Sequence, residues 1–208
     1  MRILRSLPIF AVVLLMTACV PSLYPLYTEG DLVFEPSLVG TWVVEDDGHQ
    51  TIWTVSKSGE GYEMVDVEED EDPAKFDVRM VKLGGHTFLD LYPAEQELNN
   101  GLYKLHMIRA HTFMKVTLAG DSLGVTMLDQ DWLKKALKAK EPELAHQKLA
   151  DGDLLLTAPT AELQEFILKS CADPAAFGDP VVFTRRQTVR EPRTGESAVT
   201  SGFVKRPG

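Results

Sequence analysis

The stretch LVGTWVVEDDGHQTIWTVS, residues 38–56, contains two strand signals separated by turn residues. Residues 39–45 and 50–56 are rich in Val, Thr, Ile and Trp, the residue types that favour β-strands. Asp and Gly fill the gap between them and favour a turn. The stretch therefore predicts two neighbouring antiparallel strands joined by a short connection.

Eight further segments repeat this pattern of strand-forming residues between turn residues. They are residues 61–67, 75–83, 86–92, 102–108, 111–118, 123–129, 153–157 and 180–186. Gly84-Gly85 and Gly120-Asp121 separate consecutive segments and suit tight hairpin turns. Short strands at this spacing predict an antiparallel barrel or sandwich rather than alternating strand–helix units.

Two segments have helical patterning. Residues 131–141 follow Asp129 and include Asp131, and either aspartate can cap the N-terminus of a helix. Residues 161–171 follow Thr160, a second candidate cap, and carry apolar residues on one face. We expect these two helices to cover an end or an open edge of the sheet.

Gly40 and Trp42 form a G-x-W motif at the start of the first predicted strand. The motif resembles that of lipocalins and related β-barrels, in which the tryptophan closes the floor of the barrel. Together with the strand pattern, the resemblance implies a mainly β domain over residues 38–187. We expect a lipocalin-like antiparallel barrel or highly curved sheet of about 8–10 strands with two α-helices.

The N-terminus, MRILRSLPIFAVVLLMTAC, has the layout of a secretory signal peptide. Arg2 and Arg5 form a basic start, residues 7–16 form an apolar run, and Ala18 is a small residue at the cleavage point. The apolar run is too short for a transmembrane helix, which needs about 20 apolar residues. We therefore expect residues 1–18 to be a signal peptide.

Met16-Thr17-Ala18-Cys19 resembles the bacterial lipobox. In the lipoprotein family this cysteine receives a diacylglyceryl thioether, the preceding peptide is cut, and the new amino group is acylated. The resemblance implies that Cys19 is the lipidation site and that acyl chains such as palmitate attach the protein to a membrane. Because Val20 rather than Asp follows the cysteine, the resemblance favours the outer membrane, with the domain facing the periplasm or the cell surface. The alternative is an ordinary signal peptide cut nearby.

A wider pattern resembles a group of uncharacterised bacterial lipoproteins. It is carried by Cys19 and by residues 25–27, 38–42, 128–133 and 160–166. This resemblance covers most of the chain and implies no particular activity. Residues 19–37 are predicted to be a tether that partly docks on the domain through Leu, Tyr and Phe side chains.

The chain is acidic, with 21 basic and 31 acidic residues and a formal charge of −10. Loss of Arg2 and Arg5 with the signal peptide leaves 19 basic residues and a charge of −12. Such a protein lacks the basic face that binds nucleic acid, so no nucleic-acid partner is expected. With Cys19 acylated, Cys171 has no internal disulfide partner and is interpreted as a buried structural thiol. Residues 188–208 are polar and aperiodic and predict a disordered tail.

Three features could carry chemistry, and each has a plainer explanation. Gly120-Asp121-Ser122-Leu123 matches the GDSL block of a serine hydrolase family, but it lies where a hairpin turn is expected. The histidines show no zinc-motif spacing, and His86 with Asp90 is interpreted as a polar stripe on the solvent side of one strand. The acidic run at 68–72 is interpreted as a solvated loop. No metal or cofactor is therefore expected.

Aromatic residues in the predicted strands are candidates for lining a ligand cavity, notably Trp42, Trp53, Phe88 and Tyr103. They could equally fill a packed core. The expected function is non-enzymatic: a lipid-anchored envelope protein that binds an apolar small molecule or an envelope protein partner. The alternatives are a structural or assembly factor of the envelope and, last, a hydrolase.

Overall fold

The computed structural model describes residues 20–46, 48–69, 71–95, 100–139, 144–150 and 152–187. Within them, the strands are β1 (Leu32–Val33), β2 (Gly40–Asp46), β3 (His49–Ser58), β4 (Gly61–Glu68), β5 (Ala74–Leu83), β6 (His86–Pro93), β7 (Thr112–Ala119), β8 (Ser122–Met127), β9 (His146–Lys148), β10 (Leu154–Leu156) and β11 (Val181–Arg185). The helices are α1 (Gly101–Lys104), α2 (Gln130–Ala139) and α3 (Thr160–Ser170). The predicted signal peptide, Cys19 and the predicted tail at 188–208 lie outside the described residues.

Eight of the strands form a closed antiparallel barrel. Strands β2 to β8 run up and down in chain order, each hydrogen-bonded to the next. Strand β11 then lies between β8 and β2, where Val181 pairs with Val125 and Thr184 pairs with Val43. Strand β1 lies beside the last residues of β5. Closure leaves no unpaired edge in the barrel sheet.

The barrel has two ends, the Gly84 end and the α1 end, which carry different connections. The Gly84 end carries the β5–β6 turn at Gly84 and Gly85 and the β7–β8 turn at Gly120 and Asp121. The α1 end carries the β6–β7 connection, which contains α1. Gly84 and Gly85 both have positive φ, 56° and 83°, the left-handed conformation that two-residue hairpin turns require.

Alternate residues of the barrel strands point inward and form a packed interior. Trp42 and Trp53 occupy paired positions on β2 and β3, and the ring of Trp53 stacks on Phe183 with centroids 4.1 Å apart. The remaining buried members are mostly aliphatic: Leu38, Val55, Tyr62, Met64, Val78, Met80, Leu89, Leu91, Met114, Val116, Leu123 and Val125. The barrel interior is therefore filled by large side chains.

A second apolar cluster, called the outer cluster, covers the outside of β5, β6 and β7. Phe88 and Phe113 alternate with the inward-facing Leu89 and Met114 and so point outward. Helices α2 and α3 and the β9–β10 hairpin pack on them through Leu133, Leu154, Leu156, Leu163, Phe166 and Ile167. The described parts of the chain between β8 and β11 therefore form a layer against one side of the barrel.

The predicted fold is confirmed as a mainly β, lipocalin-like closed barrel. Both predicted helices form, as α2 and α3, and Asp129 caps α2 by accepting a hydrogen bond from the Trp132 N–H. Thr160 does not act as the expected cap. It is the first residue of α3, its hydroxyl donates to the Pro25 carbonyl oxygen at 2.8 Å, and Pro159 precedes the helix.

The predicted strand at 102–108 is wrong. Its first residues belong to α1, where Asn100 Oδ1 accepts a hydrogen bond from the Tyr103 N–H at 3.0 Å. Strand β6 already pairs with β5 and β7, and β7 with β8, so neither strand has a free edge for this segment. Strands β1 and β9, which span only two and three residues, were not expected from the sequence.

Candidate functional site

Residues 20–27, called the N-terminal strap, lie on the outer cluster. Val20 and Leu26 are buried in it. Ser22 and His111 exchange both backbone hydrogen bonds at 2.8 Å, as an antiparallel pair does. On its other side the strap makes backbone hydrogen bonds of 2.8 and 2.9 Å to Leu156 of β10. The strap is therefore fixed between the start of β7 and the β9–β10 hairpin.

The described part of the predicted tether, residues 20–37, is docked along the barrel. After the strap, the chain forms β1 beside β5 and then a short 3-10 turn, Pro36–Leu38. Leu38 is buried in the barrel interior just before β2 begins. The prolines favour an extended path, because each fixes its own φ and removes a backbone donor.

Asp90 of β6 is 1% exposed and joins the strap to His111. Its Oδ2 accepts a hydrogen bond from the Leu26 N–H at 2.8 Å, and its Oδ1 lies 2.7 Å from His111 Nδ1. The ring of Tyr92 lies 4.5 Å from the His111 ring. A carboxylate buried without partners would cost about 3–5 kcal/mol, so these contacts stabilise both Asp90 and the strap.

An aspartate–histidine pair can orient an imidazole for proton transfer, and this pair is also joined to the backbone of the strap. One carboxylate oxygen of Asp90 accepts a hydrogen bond from the strap, and the main chain of His111 pairs with Ser22. The Ser22 hydroxyl donates to the Tyr24 carbonyl oxygen at 2.8 Å. The arrangement therefore acts as a fastening for the strap.

The interpretation of His86 and Asp90 as a solvent-facing stripe is wrong. Both lie on the outer face of β6 with Phe88 between them, but Phe88 and Asp90 are buried. The strap and α3 supply the cover, and both are distant from β6 in sequence. Local alternation identifies a shared face and does not show what lies against it.

Trp42 lies at the Gly84 end of the barrel and connects the first barrel strand to the last. Its Nε1 donates to the Leu38 carbonyl oxygen at 2.8 Å, and the indole is fully buried. The guanidinium carbon of Arg185 lies 4.1 Å from the ring centre, and Arg185 Nε lies 3.2 Å from Asp121 Oδ1. Arg185 also donates to the Val39 carbonyl oxygen at 2.8 Å. The ring of an indole attracts a cation placed over its face, so Arg185 helps to hold β11 against β2 where the barrel closes.

The Gly84 end also carries an open cup of about 440 Å³, called the mouth cup. It lies between residues 33–37 and the ends of β5, β6 and β7. Its apolar lining comprises Val33, Phe34, Met80, Val116 and Leu118, and its ionisable groups are Glu35, Lys82, His86 and Lys115. A concave site with both apolar and polar groups in its lining can hold a small molecule.

Asp66 of β4 faces the barrel interior toward the α1 end. It lies opposite Trp53, whose side chain hydrogen-bonds to it, while its Oδ1 is buried without a hydrogen-bond partner in the protein. Burial raises the pKa of Asp66 to about 6, with a further contribution from the negative charge of Glu68, and the Trp53 hydrogen bond opposes the rise. In the sequence, Asp66 alternates with Tyr62 and Met64. This spacing puts all three residues on one face of the strand and indicates that Asp66 points inward.

The four aromatic candidates for a ligand cavity lie in three separate places. Trp42 and Trp53 belong to the barrel interior. Phe88 belongs to the outer cluster, and Tyr103 lies on α1, where it is 58% exposed. These four side chains therefore do not line one cavity. The predicted lipidation site, Cys19, lies outside the described residues.

The other candidate groups occupy structural positions. Gly120 and Asp121 form the β7–β8 turn, and Ser122 begins β8 opposite Ala119. Cys171 follows α3 and is half-buried, and burial raises the pKa of its thiol. Within the described parts of the chain, no three or more His, Cys, Asp and Glu side chains are grouped to hold a metal ion.

The fold and its sites define an eight-stranded antiparallel barrel with a filled interior, a strap on its outer wall and an open cup at one end. Comparison of the chain with protein-family models, curated proteins and solved structures found no match. Among the described helices, none has the length and apolar character needed to cross a membrane.

Proposed function

We propose that this protein is a lipoprotein of the bacterial cell envelope, anchored by acyl chains on Cys19. The observation that carries the proposal is the strap, which is buried and hydrogen-bonded to the barrel wall from Val20 onward. Lipid on Cys19 would therefore hold the barrel itself close to the bilayer. Each buried acyl CH₂ contributes about 0.8 kcal/mol, so two or three chains give lasting attachment. Val20 after the cysteine favours the outer membrane, with the barrel facing the periplasm or the surface.

Metabolic labelling with palmitate tests the anchor. We expect the full chain, expressed in a bacterium with lipoprotein processing, to take up label and to fractionate with membranes. Cys19→Ala should abolish both. Cys171→Ala is the matched control, since it removes the other cysteine of the chain, and it should change neither. A wild-type protein without label would contradict the proposal.

Binding, rather than catalysis, is the activity that we propose for the barrel. The mouth cup supports it, because its lining combines apolar side chains with Lys82 and Glu35, while the amino group of Lys115 lies over the Phe177 ring in the outer cluster. We propose an amphiphile as the ligand, with its apolar chain against Val33, Met80 and Val116 and a negatively charged head at Lys82. The filled barrel interior favours the cup over the barrel centre as the binding place.

A fluorescent fatty acid tests this activity. We expect saturable binding that Lys82→Glu weakens about 5-fold, because reversing one exposed charge costs about 1 kcal/mol. Lys75→Glu is the control, since Lys75 is also exposed and lies on the same strand near the α1 end. Absence of binding, or equal affinity in both variants, would contradict the proposal that the mouth cup is the binding site.

A structural or assembly role is the second candidate. Val43, Ile52 and Val67 occupy paired positions on the outer face of β2, β3 and β4, away from the outer cluster. This apolar row could receive an envelope protein. A photo-cross-linker at Ile52 that captures one defined neighbour, with the same probe at Ser56 as control, would support the role. Scattered products from both positions would not.

A further inference from the structure

The β6–β7 connection carries the five most exposed large apolar side chains among the described residues. Leu105, Ile108 and Leu102 are 80%, 76% and 70% exposed, and Tyr103 and Met107 are more than half exposed. They lie in residues 101–110, called the apolar loop, at the α1 end of the barrel. An exposed apolar patch of this kind marks a contact with another molecule or with a membrane.

The apolar loop lies within reach of the proposed anchor. Ile108 is three residues before His111, His111 pairs with Ser22, and Ser22 is three residues after Cys19. An extended chain spans at most about 3.6 Å per residue, and paired strands lie about 5.5 Å apart, so Ile108 and Cys19 are within about 27 Å. The Ser22–His111 pair is antiparallel, so the strap leads from Ser22 to Val20 in the direction opposite to that from His111 to Ile108, and about 27 Å is an upper bound.

The charge and residue types of this region favour a lipid surface over other occupants. Residues 98–120 contain no Asp or Glu, although the chain carries 31 acidic residues. Lys104 and Arg109 lie among and beside the apolar side chains. The Lys104 ammonium is paired with Glu95, and the Arg109 guanidinium lies over the Tyr92 ring. Tyr24 of the strap and Tyr103 are both exposed, and tyrosine is enriched at the level of lipid headgroups. Apolar side chains flanked by cations and tyrosines are typical of segments that lie in a membrane interface.

We propose that the apolar loop enters the headgroup region of the same bilayer that holds the acyl chains on Cys19. The barrel is then attached at two places, and its α1 end faces the membrane. The mouth cup, at the opposite end, faces away from it. This inference rests on the proposed anchor, and the experiment separates the two.

The test places a fluorescent probe on the loop of the lipidated full-length protein. In a Cys171→Ser background, an environment-sensitive dye is attached through Ile108→Cys or, as control, through Thr54→Cys. Thr54 is exposed on the outer face of β3, four strands around the barrel from β7. The protein is reconstituted in vesicles of phosphatidylethanolamine and phosphatidylglycerol, with and without phospholipid that carries a nitroxide on its acyl chain. Palmitate labelling of the same preparation reports the anchor separately.

We expect the probe at position 108 to shift to shorter wavelength and to lose most of its fluorescence to the nitroxide, while the probe at position 54 does neither. Palmitate label without quenching at position 108 overturns the loop proposal and leaves the anchor standing. A wavelength shift without quenching overturns it in favour of a protein or a second copy as the cover. Quenching without palmitate label overturns the anchor and supports the loop, and absence of both overturns both.

Discussion

Asp90 connects two parts of the chain that are far apart in sequence. Its two oxygens hold the Leu26 N–H and the His111 ring, which lie 64 and 21 residues away along the chain. Burying a polar group is costly unless hydrogen-bond partners replace the lost water. At the scale of one residue, the position of the strap therefore depends on these two contacts.

Asp90→Ala should destabilise the protein by about 3 kcal/mol, because it leaves the Leu26 N–H and the His111 ring without their buried partner. Urea unfolding measures the loss, and limited proteolysis should show faster cleavage in the strap. Asp77→Ala, on an exposed position of β5, is the control and should change stability by less than about 0.5 kcal/mol. An Asp90→Ala protein as stable as wild type would contradict the fastening role.

Asp66 should make stability depend on pH. Its pKa is raised to about 6 in the folded protein, so between about pH 4 and pH 6 the folded state holds a proton that the unfolded state has released. This contribution to stability is complete below about pH 4 and is lost as the pH rises through 6. Two pKa units correspond to about 2.7 kcal/mol. Because the carboxyl is only partly buried, we expect about 1 kcal/mol after solvent screening.

Asp66→Asn tests this dependence, because asparagine has the same shape, can accept from Trp53, and does not ionise. Relative to wild type, the variant should be equally stable near pH 4 and about 1 kcal/mol more stable at pH 7, as measured by urea unfolding at each pH. Glu63→Gln on the same strand serves as control and should show no such divergence. A stability difference that stays constant from pH 4 to pH 7 would contradict the shifted pKa.

Helix α3 and the β5–β6 turn fit against each other. A Cβ added at Gly84 would overlap the end of the Leu168 side chain, whereas a Cβ at Gly85 would meet nothing within 4 Å. Both glycines have positive φ, so each avoids the strain that a side chain brings in that conformation. At the scale of elements, Gly84 thus serves both the turn and the docking of the helix.

Gly84→Ala should therefore cost more than Gly85→Ala. We expect about 1 kcal/mol from the left-handed conformation in both variants, and about 1 kcal/mol more at Gly84 from the overlap with Leu168. Thermal or urea unfolding measures both. In a Leu168→Ala background the two variants should become equal, and a difference that persists there would mean that the helix contact is not its cause.

At the scale of the whole molecule, closure of the barrel depends on contacts between the first barrel strand, β2, and the last, β11. Strand β11 closes the barrel between β8 and β2, and Arg185 reaches across to the Val39 carbonyl oxygen. The strap is bound to β6, β7 and β10 in the same way. Because Val20 and Leu26 of the strap belong to the outer cluster, opening the strap exposes that cluster.

The strap should therefore unfold together with the barrel. We expect the amides of Ser22, Leu23 and Leu26, which are all donors in the strap, to exchange with solvent only as slowly as those of the barrel strands. Ile108, in the exposed loop, is the fast-exchanging reference. Hydrogen exchange followed by mass spectrometry measures this. Strap amides that exchange as fast as Ile108 would show that the strap opens independently.

Much of the barrel could be predicted from local patterns. Nine of the ten predicted strands form, because alternating β-branched and aromatic residues between Gly and Asp turns favour paired strands. The segment 102–108 has the same residue types and fails, because the neighbouring strands are already paired on both edges. The candidate ligand residues could be chosen by type, but the strands carrying Trp53 and Phe88 turn them to opposite sides of the barrel wall.

By itself, the sequence determined the strand pattern, the turns, the two longer helices and the acidic charge, since each depends on neighbouring residues or on composition. Only the tertiary structure decided the partner of β11, the burial of Asp90, the fixed position of the strap and the exposure of the apolar loop. These features join residues that are tens of positions apart. Alternation shows that two side chains share a face, and only the closed barrel shows whether that face meets the interior, another element or solvent.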